Sequence, residues 1–249
     1  GGVTVDLKSG TFYHKGYILY LVDLPGTYSI TEFTPEERYV RDYLTKNNPD
    51  MVLNIVDASN LERNLFLTTQ LVDMNIRIVM ALNMFDEMTS KGDALDYEAL
   101  GKMMGFPIVP TTAVKGIGIS NVLETIIDVY EEKKNLNKHI HTNYGRDIED
   151  AIVPIKRKIE LNKDIINVYP ARYIAINVLE NSKSTIEEIT NLPNGDEIIM
   201  LANEKRHELE KDYDEDVYTL LTNARYAFIR GALKETFRKS EKKIKNHAY

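Results

Sequence analysis

Apolar and polar positions change their period near the middle of the chain. Thr11–His14 and Tyr17–Asp23 are short β-type runs separated by Lys15-Gly16, a pattern that predicts a hairpin. Thr34-Pro35-Glu36-Glu37 then opens a helix, with a capping hydroxyl, a proline at the first position and acids in the first turn. From there strands and helices alternate. Met51–Asp57, Arg77–Asn83 and Phe106–Pro110 read as apolar strands. Leu61–Met74, Leu95–Met104 (closed by Gly105) and Ser120–Lys134 (capped by Ser120) read as helices. Such alternation predicts an α/β fold with a mainly parallel sheet and flanking helices.

Beyond about Asn135 the strand pattern stops. Ile148, Ile152, Ile155 and Ile159 recur at helical spacing, as do Ile174, Val178 and Leu179, and then Val217, Leu220, Leu221, Ala224 and Phe228. Asn191-Leu-Pro-Asn-Gly195 marks a turn among them. The expected organisation is therefore an α/β domain over residues 1–135 and an all-helical subdomain of four or five helices over residues 136–249.

Composition narrows the class. The 249 residues are 43% hydrophobic and 28% charged, an ordinary globular mix. A formal net charge of −7 argues against broad nucleic-acid binding, because no wide basic face is available to neutralise phosphates. The absence of cysteine excludes disulfides and thiolate metal sites. No apolar run approaches the roughly 20 residues that cross a bilayer, and the first residues do not read as a signal peptide, so this stretch is expected to be soluble. The basic run Arg238–Lys245 reads as a solvated tail, and Asp212, Asp214, Glu215 and Asp216 as a helix-start surface. His139 and His141 are a candidate metal pair without a neighbouring carboxylate or thiol, and a solvated linker accounts for them better.

Three short boxes fall at the ends of successive strands. Asp23-Leu-Pro-Gly26 puts a carboxylate where it can hold Mg²⁺ through water, and a glycine whose N–H can approach a terminal phosphate. Asn83-Met84-Phe85-Asp86 lies at the carboxyl end of the strand that begins at Arg77. Asp86 can accept two hydrogen bonds from a purine bearing a ring N–H and an exocyclic amine, which describes guanine and excludes adenine. Asn83 is placed to brace the surrounding loops, and the apolar stem of Met84 can cover one face of the base. Thr111-Thr112-Ala113-Val114 ends the third strand, and the Ala113 N–H can point at the guanine O6, with Thr112 and Val114 beside it. Thr4, upstream of the hairpin, is the candidate hydroxyl ligand for Mg²⁺.

The order of these boxes resembles a translation-factor-type GTPase, and the residues themselves resemble the cytosolic G domain of the FeoB ferrous-iron transporters. Gly2-Val-Thr-Val, Asp23-Leu-Pro-Gly-Thr-Tyr-Ser, Asn83-Met-x-Asp and Pro110-Thr-Thr-Ala carry the likeness. In the helical half, Tyr169-Pro-Ala-Arg-Tyr-Ile-Ala and Ala224-Arg-Tyr-Ala-Phe-Ile resemble that family's helical spacer. The resemblance implies a P-loop-NTPase-like sheet, GTP and GDP as ligands, Mg²⁺ and a monovalent cation such as K⁺ as cofactors, and hydrolysis of GTP to GDP and phosphate. It also implies a following membrane domain as partner, at the cytoplasmic face of the cell membrane; a second copy of the chain is a further candidate partner.

Two departures stand out. No Gly-x-x-x-x-Gly-Lys-Ser/Thr occurs among the 249 residues. That phosphate loop belongs before Thr4, and a segment carrying it is expected upstream of Gly1. Where many GTPases place a water-orienting Gln, this sequence has Thr27, so Thr27 is the candidate catalytic position and slow hydrolysis is expected. The alternatives are a ribosome-associated GTPase, which should carry a basic RNA-binding face, and a non-catalytic binding module without a phosphate site.

Overall fold

The computed structural model describes residues 8–31, 33–132 and 140–240. The described residues open with β1 (Lys8–His14) and β2 (Tyr17–Asp23), an antiparallel hairpin. Its two turn residues, Lys15 and Gly16, both have positive φ, 46° and 83°, the twist that matches a two-residue hairpin turn. Helix α1 (Pro35–Asn47) follows, and its start carries a complete capping box between Thr34 and Glu37.

Next come β3 (Val52–Asp57), α2 (Leu61–Asp73), β4 (Ile78–Asn83), α3 (Phe85–Ser90), β5 (Ala94–Leu95), α4 (Tyr97–Met104), β6 (Ile108–Pro110) and α5 (Ile119–Tyr130). The remainder is α6 (Arg146–Ile159), α7 (Lys163–Ile166), α8 (Ala171–Leu179), α9 (Lys183–Thr190), α10 (Gly195–Tyr213), α11 (Val217–Thr236) and β7 (Phe237–Arg238). The described residues divide into two compact units, those within 1–50, 66–76 and 141–228 forming the first and those within 51–65, 77–140 and 229–249 the second.

In the second unit β3, β4 and β6 form a parallel sheet in the order β3-β4-β6. β4 lies in the middle, and Ile78, Val79, Met80, Ala81 and Leu82 are all buried, which explains the unbroken apolar run. Helices α4 and α5 lie against this sheet. Helix α4 begins at Tyr97, not Leu95, and Asp96 caps it, its carboxylate accepting from the Ala99 N–H at 2.9 Å. Ser120 does not cap α5; the helix begins at Ile119, and Gly118 takes the cap position with a φ of 83°. The expectation that strands stop after Asn135 also needs correction. β7 pairs antiparallel with β5 through Ala94–Arg238 and Leu95–Phe237, a bridge too short for any period-2 pattern to announce.

The first unit holds the hairpin, α1 and most of the later helices. Ile148, Ile152, Ile155 and Ile159 of α6 are buried, as are Ile174, Val178 and Leu179 of α8. Helix α8 lies against α6, α9 and α10. Six helices fall between Arg146 and Thr236 among the described residues, more than the four or five expected, because α7 is a single turn. On α11, Val217, Leu220 and Leu221 are buried, and Arg225 shares their face.

That arginine sits in a buried polar cluster. Its Nη1 donates to Glu180 at 2.8 Å, and its Nη2 lies 3.5 Å from the Asp73 carboxylate. The guanidinium lies over the rings of Tyr144 and Phe66, 5.2 and 5.8 Å from their centroids. Tyr144 donates its hydroxyl to Asp73. Beside it Arg172 makes a two-pronged pair with Glu149, each contact 2.7 Å, and donates to the Thr142 carbonyl at 2.9 Å. Burial pushes the Asp73 carboxyl up to about 6, against the opposing pull of Arg225 and of the Tyr144 hydroxyl.

Candidate functional site

The second unit gathers the base-reading candidates at the carboxyl end of its parallel sheet, the edge where open α/β sheets take ligands. Asn83 is the last residue of β4, in register with Asp57 at the end of β3. The Asn83 side-chain oxygen accepts from the Ala113 N–H at 2.9 Å and from the Thr111 hydroxyl at 3.3 Å. One amide thus ties the loop after β6 to the end of β4. Met84 then takes a left-handed conformation, φ 58° and ψ 30°, which breaks the strand and lets α3 begin at Phe85. The Phe85 N–H donates to the Thr111 carbonyl at 3.2 Å, a second tie between the same two segments.

Asp86 falls in the first turn of α3. Its Oδ2 accepts from the Lys115 ammonium at 2.7 Å, with the two side chains 38% and 59% exposed. The Lys115 hydrogen bond holds the Asp86 carboxyl below its ordinary range, and the Thr112 hydroxyl adds to the effect. Asp86 in turn raises the Lys115 ammonium.

Thr112 and Ile117 close the loop carrying Ala113, Val114 and Lys115, exchanging backbone hydrogen bonds of 3.0 and 3.3 Å. Gly118 is obligatory at its base. A Cβ there would stand 2.3 Å from the Pro110 carbonyl oxygen, and its φ of 83° already disfavours a side chain. Val114 stands at the tip, 95% exposed.

Asn83, Met84, Asp86, Thr112, Ala113 and Val114 are therefore brought together within one compact unit. Asp23, Gly26 and Thr27 belong to the other unit. Asp23 is the last residue of β2 and is exposed. Gly26 is exposed too, and a Cβ built there would meet nothing within 4 Å. The Thr27 hydroxyl donates to the Ser29 carbonyl at 2.6 Å and accepts the Ser29 N–H at 3.3 Å, so it is engaged in its own turn. Thr4 lies outside the described residues, and so does His139. Among the described residues no group of three or more His, Asp or Glu is arranged to hold a metal ion, and no helix is long and apolar enough to cross a membrane.

Two residues had no advance signal. Gln70, buried on α2, accepts the Ile30 N–H at 2.9 Å and anchors the loop that follows Gly26. Lys115 could have been noticed as a cation two positions after Ala113, but nothing in the pattern tied it to Asp86.

Residues 1–126 match the family described as ferrous iron transport protein B, and residues 144–238 match the FeoB cytosolic helical domain. A fusion protein of Fe(2+) transport protein A and the Fe(2+) transporter FeoB from Porphyromonas gingivalis is 42% identical over 247 residues, covering 98% of this chain and 29% of the relative. A GDP-bound S. thermophilus NFeoB variant superposes with a TM-score of 0.82 at 32% identity, over 94% of this chain and 87% of that one. The cytosolic domain of the T. maritima FeoB iron transporter in its GMPPNP form gives 0.76 at 27% identity, over 95% and 87%. The chain spans less than a third of the length of the curated relatives it matches.

Proposed function

The chain belongs to the ferrous iron transport protein B family, and on that premise we propose that it is the guanine-nucleotide switch of a ferrous-iron transport protein, hydrolysing GTP to GDP and phosphate. Residues 1–135 form the nucleotide-binding domain in this reading, and residues 136–249 the helical spacer. The observation that carries it is Asn83 holding the Ala113 N–H while Asp86 stands in the next turn. That arrangement matches a purine with an acceptor at O6 and donors at N1 and N2. Asp86 accepts from the two donors, Ala113 donates to O6, and Met84, Thr112 and Val114 border the base.

Mg²⁺ bound with the triphosphate would supply charge neutralisation at the phosphates. Asp23, an exposed carboxylate at a strand end, would hold the metal through water, with Thr4, outside the described residues, as the expected hydroxyl ligand. Gly26 leaves its backbone open to the terminal phosphate. Because the Thr27 hydroxyl is engaged with Ser29, the attacking water is oriented by backbone or by another loop, and hydrolysis is slow. A monovalent cation such as K⁺ can assist at the phosphates. In this reading the helical spacer passes the nucleotide state towards a membrane domain at the cytoplasmic face.

Titration of the full chain with a fluorescent GDP analogue tests the reading. Saturable binding is expected, displaced by GTP and not by ATP, and weakened strongly by Asp86→Asn. Equal displacement by ATP, or no binding at all, refutes it.

A further inference from the structure

The guanine-reading carboxylate is not idle in this structure. Asp86 must offer both oxygens to a base that donates from N1 and N2, and Oδ2 is held by Lys115 at 2.7 Å. Lys115 is carried by the same closed turn as Ala113, the residue assigned to O6, so the cation and the base-reading loop share one backbone. The turn is fixed by the Thr112–Ile117 pairing and by left-handed Gly116 and Gly118. The lysine side chain, by contrast, is 59% exposed and ends on a flexible stem, free to swing into water.

We propose that Lys115 is a resident counter-ion for Asp86, which a guanine base must displace, so that it governs how fast nucleotide is captured. This rests on the guanine-nucleotide reading given above. With Lys115 in place the carboxylate is only fractionally competent, and the apparent affinity falls by that fraction. The lysine leaves before the base seats, so the cost falls on association and not on dissociation. An exposed ion pair is weak, which keeps the brake mild. Lys115 is a positioning residue in this scheme, acting through Asp86 and leaving the phosphate chemistry alone.

Stopped-flow binding of fluorescent GDP to the full chain tests this. Lys115→Ala is expected to raise the association rate about two- to fivefold while leaving the dissociation rate and the hydrolysis rate of bound GTP unchanged. Lys115→Arg, which keeps the ion pair, is expected to restore wild-type association. In an Asp86→Asn background the amide can donate to the C2 carbonyl of xanthine, and there Lys115→Ala is expected to leave xanthosine diphosphate association unaltered. An unchanged association rate in Lys115→Ala, a faster dissociation rate, or the same acceleration in the Asp86→Asn background overturns the proposal. If Asp86→Asn still prefers guanine, the assignment of the base site itself fails, which is a different result.

Discussion

Replacing Asp73 with asparagine separates the two forces acting on the buried cluster. Asp73 is 2% exposed; one carboxylate oxygen accepts from Tyr144 and lies near Arg225, while Oδ1 has no hydrogen-bond partner. Burial raises its carboxyl from 3.8 to about 6, so desolvation outweighs the attraction of Arg225. A carboxyl raised in the folded state contributes stability that is fully present below the unfolded value of 3.8 and is lost as pH rises through about 6. That shift corresponds to about 3 kcal/mol. Asparagine keeps the shape, still accepts the Tyr144 hydroxyl through its amide oxygen, and does not titrate. Between about pH 4 and pH 7 the wild-type chain should therefore lose about 3 kcal/mol relative to Asp73→Asn. Urea unfolding followed by circular dichroism at several pH values across that window reads the difference directly. If the variant becomes progressively less stable than wild type as pH rises, the Arg225 attraction dominates and the reasoning is wrong.

Three further outcomes follow from named contacts. Arg225→Met leaves Asp73 and Glu180 buried without their shared cation, and should destabilise the fold by about 3–5 kcal/mol above neutral pH, less in acid where Asp73 takes up a proton; equal losses at both extremes in denaturant titrations count against the account. Asn83→Ala removes the acceptor of the Ala113 N–H and should weaken GDP binding about tenfold or more with little change in far-UV circular dichroism. Wild-type affinity in that variant would show that the loop needs no such clamp. Thr27→Ala should keep most of its single-turnover GTP hydrolysis, since the hydroxyl is bound to Ser29, and near-complete loss would assign the water to Thr27 after all.

Features whose partners are close in sequence were legible from it. Lys15-Gly16 needs only its neighbours to turn the hairpin, and Thr34 and Glu37 satisfy one another three residues apart. The ends of β4 and β6 were legible because buried parallel strands leave apolar runs, and β4 is the clearest of these, whereas β2, which ends at Asp23, belongs to the antiparallel hairpin. Contacts joining distant segments left no such trace. Arg225 lies on an apolar helical face, and no pattern says that Asp73, Tyr144 and Glu180 will meet it. Gln70 holds Ile30 across forty positions, and β7 finds β5 from the far end of the helical series. Nor does the order of residues say that Lys115 rests on Asp86, because the pair depends on how a short turn is closed.

The left-handed backbone at Met84 restricts which side chains fit there. Guanine-binding boxes often carry lysine where this chain has methionine, whose φ is 58°. Both side chains are unbranched at Cβ and enter that twisted geometry at similar strain. Valine or isoleucine, branched at Cβ, would be strained at that φ. The backbone at this spot thus restricts branching at Cβ more than it restricts charge.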